Sequence, residues 1–494
     1  MPHNLGVTKL CNVGVQGRGH MKTYLRFRWL GRHLPPGPTP LPIIGNLWTL
    51  GFKMDHEIFI QMAKTHGNMY TMWLGQEPVV VLNGYHAVRD ALIGHSEEVS
   101  GRPTTPLFEE LSDGKGIIFI SGDNWKAQRR CGLMALRALG VGKKVLEGRI
   151  QTEAQFLLES FAMMKGKATD PFTAIVHSVS NVISTVTFGH RFSRDDSDFA
   201  QLIEATDFLI NMMGSIWGRL FDVFPWLMRH LPGGQQKMFK FNAFMCQFLE
   251  KEIRCHKESG TPEEPQDIID FYLSQMSKAS DKMTSALNEE NLIRLVIDIF
   301  MAGTETTTTT LLWSIIHMLN HQDIQVKVQQ ELDAVLGPTQ VINYEDRKRL
   351  PYTNAVVHEI NRISDVVSVG IVRQVIKETM LQGVHLKKDT IILPNIASVL
   401  YDPECWETPR QFNPSHFLDK EGNFIANEAF LPFSAGHRVC LGEQLARTVN
   451  FLFFTNLLRA YTLQLPEGVK QASLDYQLRS TVKPLPFEMC AVPR

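Results

Sequence analysis

Several things are scarce in this 494-residue chain, and each scarcity removes a class of function. Neither sign of charge is in excess, with 50 Lys and Arg against 51 Asp and Glu. A nucleic-acid partner therefore has no global electrostatic support, and any steering must come from local clusters. The seven cysteines (Cys11, Cys131, Cys246, Cys255, Cys405, Cys440, Cys490) form no CxxC pair and no Cys/His group with zinc-ligand spacing. An odd, irregular set of this kind fits free thiols in a reducing compartment, most of them small buried apolar residues. Low-complexity tracts, internal repeats and a Gly/Ser-rich linker are missing as well. Residues 1–34 hold no apolar run of 18 residues, so neither a transmembrane helix nor a secretory signal is expected there. What that segment does hold is basic: Lys22, Arg26, Arg28 and Arg32 precede the proline-rich stretch LPPGPTPLPIIGN. Basic residues followed by a stiff proline hinge suit the cytoplasmic side of a membrane anchor.

Length alone suggests two or three domains. The pattern along the chain argues otherwise. NMYTMW (68–73) and PVVVL (78–82), separated by LGQE, predict a hairpin. From about residue 86 the periodicity is mostly helical, with loops expected at 101–122 and 255–287. A second β-like region covers 371–393 before a final helix. With β at both ends and no linker in the helical middle, the expectation is one large, mainly α unit.

Three stretches carry chemistry. The strongest is FSAGHRVCLG, Phe433 to Gly442. Gly436 allows a tight turn that brings backbone against a flat cofactor, and Gly442 removes a side chain beside the Cys440 sulfur. Leu441, Leu445, Val449 and Leu452 then recur at helical spacing. Cys440 is expected at a helix N-terminus, where the dipole and free N–H groups favour thiolate. The second stretch is DIFMAGTETTTTTLLW, Asp298 to Trp313, in a helix that Asn288 should cap. Gly303 and six threonines around Glu305 are poor helix formers. The Thr306 hydroxyl should bond the Ala302 carbonyl four residues back and open the helix locally. The third is EINR, in which Glu359 and Arg362 share a helix face at i, i+3. ETPR (407–410) has the same spacing, but Pro409 makes it a poor helix.

The first stretch resembles the haem-binding signature of the cytochromes P450, matching Phe433, Gly436, Arg438, Cys440 and Gly442. The likeness extends from LPPGP to the C-terminal LPFEMCAVPR and is strongest to the vertebrate microsomal family-2 members. It implies a mainly α fold with a small β-rich region around a buried haem. Residues 1–34 then take the family's anchor position, and 35–494 form the haem-thiolate monooxygenase domain. A thiolate such as Cys440 ligates haem iron and pushes electron density toward O–O cleavage. Glu305 and Thr306 match the acid–alcohol pair that manages protons, and a groove at this helix would make room for dioxygen. Trp125 and Arg129 match WxxxR. With Arg102, Arg373 and Arg438 they become candidate partners of the haem propionates, to which arginine forks and an indole N–H are suited. Glu359 and Arg362 match the ExxR pair, with His416 of PRQFNPSHF as third member in a structural role. Phe119, Met301, Ala302 and Ile371 are the positions the resemblance sets over the haem.

The implied cofactor is haem b, with O2 and NADPH as co-substrates. The implied partners are NADPH–cytochrome P450 reductase, in some members cytochrome b5, and a small apolar substrate, with no nucleic acid. The basic run Lys126, Arg129, Arg130, Arg137, Lys143, Lys144 and Arg149 suits an acidic electron donor. The implied location is the cytoplasmic face of the endoplasmic reticulum membrane, with peripheral contact through FDVFPWLM (221–228) and the basic N-terminal residues. Departures from the family are the absent apolar anchor, Ser368 and Val372 in place of prolines before Arg373, and LKKDT (386–390) in place of IPKGT. Two rival readings are a haem-thiolate isomerase or dehydratase acting on peroxides, and an inactive haem-binding paralogue.

Overall fold

The computed structural model describes residues 31–51, 55–141, 144–260, 262–278, 286–337 and 340–494. Most of the basic N-terminal segment, with Lys22, Arg26 and Arg28, lies outside them, as does Lys143. Chain contacts group into two units, residues 1–103 with 369–399, and residues 104–368 with 400–494.

The first unit is built on a four-stranded sheet. Strands β1 (Met69–Leu74) and β2 (Glu77–Leu82) pair antiparallel, with Met69 opposite Leu82 and Leu74 opposite Glu77. The expected hairpin forms, with β1 shifted one residue toward the turn, β2 beginning one residue earlier than the apolar run suggested, and Gly75 and Gln76 turning the chain. Gly75 takes φ 64°, a conformation open to glycine at little cost. β3 (Arg373–Gln374), β4 (Thr379–Leu381), β5 (Val384–Leu386) and β6 (Ile391–Pro394) come from the second β-like region. The sheet order is β1-β2-β6-β3, with β2 and β6 parallel, while β4 and β5 form a separate hairpin. Alternate side chains of these strands bury Tyr70, Met72, Val79, Val81 and Leu393 against Phe59. Phe59 belongs to helix His56–His66, which Asp55 caps by accepting from Glu57 N.

The second unit is mainly helical. Its axis is the 32-residue helix Glu289–Asn320, referred to below as the central helix. Asn288 caps it as expected, its side chain accepting from Asn291 N at 2.8 Å. Helices Phe172–Thr187, Gly234–Ser259, Pro351–Ser364 and Glu443–Ala460 pack around it. From Thr307 to Leu319 every central-helix residue is buried. Two small antiparallel ribbons complete the unit. β7 (Tyr461–Gln464) pairs with β10 (Cys490–Pro493), and β8 (Tyr476–Leu478) with β9 (Val482–Pro484).

The expected loops prove partly helical. Helix Pro106–Ser112 sits within 101–122, capped by Thr105 with proline in its first turn. Helix Ile268–Lys278 sits within 255–287. Both are short, and each is held by packing on the core more than by its own periodicity. Among the described residues, no helix is long and apolar enough to cross a membrane.

Candidate active site

The Phe433–Gly442 loop is shaped by two residues in the left-handed region, Ser434 (φ 61°) and Gly436 (φ 71°). Cys440 N donates to the Phe433 carbonyl at 3.0 Å and closes the loop, while Gly436–Arg438 form a single 3₁₀ turn. Gly442 then caps helix Glu443–Ala460. Cys440 thus lies two residues ahead of the cap, slightly further out than expected. Burial pushes the Cys440 thiol up to about 11, outweighing the Gly442 N–H and the nearby Arg129, both of which act to lower it. A cation bound at this sulfur would favour its thiolate form. The side chain is nonetheless accessible although protein encloses it, and a Cβ built at Gly442 would meet no protein atom within 4 Å.

Three of the expected carboxylate binders gather beside this loop. Helix Gly122–Ala138 presents Trp125 and Arg129 one turn apart. The Arg438 guanidinium lies 3.7 Å from the Trp125 ring and donates to the carbonyls of Ile117 (3.3 Å) and Ile120 (2.6 Å). Arg129 Nη2 donates to the Val439 carbonyl at 2.7 Å. Among the described residues no carboxylate pairs with Arg129, and burial lowers its pKa. Arg102 and Arg373, both buried, belong to the first unit. There Gly101 and Gln374 exchange backbone hydrogen bonds, and a Cβ at Gly101 would lie 2.7 Å from the Gln374 oxygen. That close approach sets Arg102 beside β3, where Nη1 donates to the carbonyls of Ile371 (2.8 Å) and Val372 (2.5 Å). Ile371 itself is exposed in that unit.

On the central helix the Thr306 hydroxyl donates to the Ala302 carbonyl at 2.7 Å, the bond the sequence anticipated. The helix nevertheless stays continuous. Gly303 has a packing reason: a Cβ there would lie 2.7 Å from Ile183 Cδ1 in helix Phe172–Thr187. Ala302 is exposed midway along the helix, where beyond the first turn the other residues are buried or half-buried, and Met301 and Thr306 are half-buried around it. Phe119 stacks on Phe108 with ring centroids 4.0 Å apart.

Glu305 is tied to the C-terminal ribbon. It does not meet solvent directly, being only 3% exposed. Its Oε1 accepts from the Thr481 hydroxyl at 3.0 Å, and its Oε2 lies 3.3 Å from Lys483 Nζ of β9. Lys483 also donates to Asp207 Oδ1 at 2.7 Å, and Arg479 reaches the same oxygen at 3.1 Å. Asp207 is partly exposed, so a charged chain leads from the central helix outward. Thr481, Lys483 and Asp207 were not singled out from the sequence; the partners of Glu305 are over 170 residues away.

Glu359, Arg362 and His416 come together in full burial. Arg362 Nε and Nη2 each donate to Glu359 at 2.7 Å. Nη1 donates to the carbonyls of Leu400 (2.6 Å) and Pro409 (2.7 Å), and Nη2 also to Gln411 (3.0 Å). All five N–H groups of the guanidinium are used. Glu359 also accepts from Asn413 N (2.8 Å) and faces His416 Nδ1 at 3.2 Å. Asp298 was missed as an anchor. Its Oδ2 accepts from Ile117 N (2.7 Å) and Ile118 N (3.0 Å), holding the segment before Phe119 against the central helix. Burial, eased by those bonds and by Arg294, raises its pKa to about 6.

The sequence model of the cytochrome P450 family matches residues 35–491. The chain belongs to that family, and it is a haem monooxygenase. Among known proteins it is similar to cytochrome P450 2J2 of Homo sapiens, 42% identical over 94% of this chain and 92% of that one. It is also similar to cytochrome P450 2J5 of Mus musculus, 40% identical over 99% and 95% of the two chains. Cytochrome P450 2A5 of Mus musculus is 39% identical over 90% of each. The family's haem fits the residues present. An enclosed yet accessible sulfur, a glycine with open space at its Cβ position, and a half-buried arginine lacking an acidic partner among the described residues suit a flat dianionic iron porphyrin.

Proposed function

We propose that this enzyme inserts one atom of O2 into small, mostly apolar substrates, whether lipid, steroid or foreign compound, using electrons from NADPH passed on by NADPH–cytochrome P450 reductase. Cytochrome b5 is a second candidate donor. The observation that carries this reading is the accessible Cys440 sulfur on a closed loop flanked by Arg129, Arg438 and Trp125. Haem b, when bound, supplies the redox-active iron at which dioxygen is reduced.

Cys440 is the proposed iron ligand, its proton displaced by the metal. Arg129, Arg438 and Trp125 bind the haem carboxylates; Arg102 and Arg373 are assigned the same role on the family resemblance. Phe119, Met301, Ala302 and Ile371 offer apolar surface to the substrate. The Thr306 hydroxyl, tethered to Ala302, orients water and passes a proton at its Oγ1. Glu305 replenishes that proton through Lys483 and Asp207 rather than from a channel of its own. Glu359, Arg362 and His416 brace the fold and take no part in the chemistry. Lys126, Arg130, Arg137 and Lys144 are exposed and suit an acidic donor protein, whereas Arg149 turns inward onto the carbonyls of Thr185 and Gln266.

Peripheral contact with the endoplasmic reticulum membrane, at its cytoplasmic face, is supported by exposed Ile216, Trp217, Trp226 and Leu227. Phe221 and Met228, counted toward that contact in the sequence, are buried instead.

Replacing Cys440 with Ser should abolish the thiolate-type ferrous–CO Soret band; an unchanged spectrum would remove the reading. Thr306→Ala should keep NADPH oxidation running while diverting flux to hydrogen peroxide, with the CO spectrum intact and Thr308→Ala as control. A peroxide isomerase requires neither Thr306 nor NADPH, so turnover without reductase would favour that alternative.

A further inference from the structure

Far from Cys440 in the chain, the end of helix Gly234–Ser259 and the start of helix Ile268–Lys278 bring three ligating side chains together. One nitrogen of His256 and one oxygen each of Asp267 and Asp270 lie within 4.8 Å of one another. We propose that His256, Asp267 and Asp270 form a binding site for a divalent cation of the zinc class, independent of the haem.

The orientation of each group supports this assignment. His256 Nδ1 donates to the Glu252 carbonyl at 2.8 Å, which fixes the ring and directs Nε2 at Asp267 Oδ2, 2.9 Å away. A backbone carbonyl on one imidazole nitrogen is the usual support of a metal-ligating histidine. Two ligands about 2.0–2.2 Å from one tetrahedral ion stand roughly 3.4 Å apart, so the Nε2–Oδ2 pair needs to open by only about half an ångström to admit one. Backbone N–H groups fix both carboxylates. Asp267 Oδ1 accepts from Asp270 N at 2.9 Å, and Asp270 Oδ2 accepts from Gln266 N at 3.1 Å. Asp270 is only 6% exposed, and its carboxylate lies beside that of Asp267. Two largely buried carboxylates side by side are unfavourable unless a cation joins them.

Backbone closes another side of the site. Gly189 adopts φ 78°, and a Cβ there would lie 2.5 Å from Asp267 Oδ2. Without metal, the proton on His256 Nε2 offsets one of the two acidic charges. A divalent cation replaces that proton, which leaves to solvent, and offsets both. His256 keeps 12% of its side chain accessible, enough for an ion to enter. One imidazole and two carboxylates with a remaining place for water match zinc's four-coordinate preference.

The competing account is a plain His–Asp ion pair joining two helices. Equilibrium dialysis of haem-loaded protein against radioactive Zn2+, scored per mole of iron, separates the two. The expected result is one zinc equivalent in the native protein, at least about tenfold weaker binding in Asp270→Asn, and none in His256→Gln. Asp270→Asn is nearly isosteric, and an unchanged ferrous–CO spectrum would certify its fold. Zinc should also raise the Tm of the native protein and leave that of Asp270→Asn unmoved. No stoichiometric zinc, or zinc that both variants retain equally (an adventitious ion only), would overturn the assignment. Neither result depends on what substrate the haem site oxidises.

Discussion

Glu359–Arg362 and Glu407–Arg410 have the same spacing and opposite fates. In the first, both side chains are wholly buried, paired through two 2.7 Å bonds, and every guanidinium N–H finds an acceptor. In the second, both residues are exposed, and the Arg410 guanidinium instead stacks on Tyr401 at 4.1 Å. A four-residue pattern therefore carries no energy of its own. What distinguishes the copies is the set of carbonyls at Leu400, Pro409 and Gln411 that receives Arg362 after the chain has returned from 38 or more residues away. Pro409, which spoils the second copy as a helix, supplies one of the acceptors that completes the first.

The contrast can be broken most directly by removing one partner. Glu359→Ala or Arg362→Ala leaves an uncompensated buried charge and should cost about 3–5 kcal/mol, seen as loss of haem-loaded protein on expression. The double replacement of Glu359 and Arg362 by apolar residues should be less harmful than the sum of the two single changes, in chemical denaturation. His416→Ala should come next, at about 1–2 kcal/mol by the same method, because Glu359 keeps Arg362 and Asn413 N. Asp298→Asn sharpens the contrast from another side. Asp298 is a carboxylate held by backbone N–H groups rather than by a bonded arginine, and its folded pKa of about 6 lies above its ordinary value. The folded state therefore holds a proton that the unfolded chain has already lost, so this group's contribution falls as pH rises from about 4 to about 6. The asparagine variant keeps an acceptor oxygen and should flatten that part of the stability–pH curve. Smallest of all, Glu407→Ala and Arg410→Ala should each change stability by no more than about 0.5 kcal/mol. Equal losses from both pairs would end the comparison.

Local chemistry explains what could be read from the sequence alone. The Asn288 cap, the Thr306–Ala302 bond and the β1–β2 hairpin need only neighbours within a few residues. Gly436 was legible for the same reason, since the turn it permits is its own. The partners of Glu305 were not legible, because Thr481 and Lys483 approach only after the C-terminal ribbon folds onto the central helix. Asp298 was hidden likewise, its hydrogen bonds reaching back 180 residues or more to Ile117 and Ile118. The Cys440 thiol shows the limit from the other direction. Helix position alone suggested an acidic thiol, whereas the burial around it acts to raise its pKa, which no local pattern reports.

The chain Glu305–Lys483–Asp207 also bears on how quickly this protein can rearrange. Its three links sit on the central helix, on β9 and on helix Ser197–Gly214, so lifting that last helix away from β9 must pull Asp207 from Lys483. The motion then has an electrostatic activation barrier that dissolved salt lowers by screening the partly exposed Asp207 end. Any kinetic process requiring helix Ser197–Gly214 to move should accelerate as ionic strength rises. Asp207→Asn should be fast already and nearly indifferent to salt.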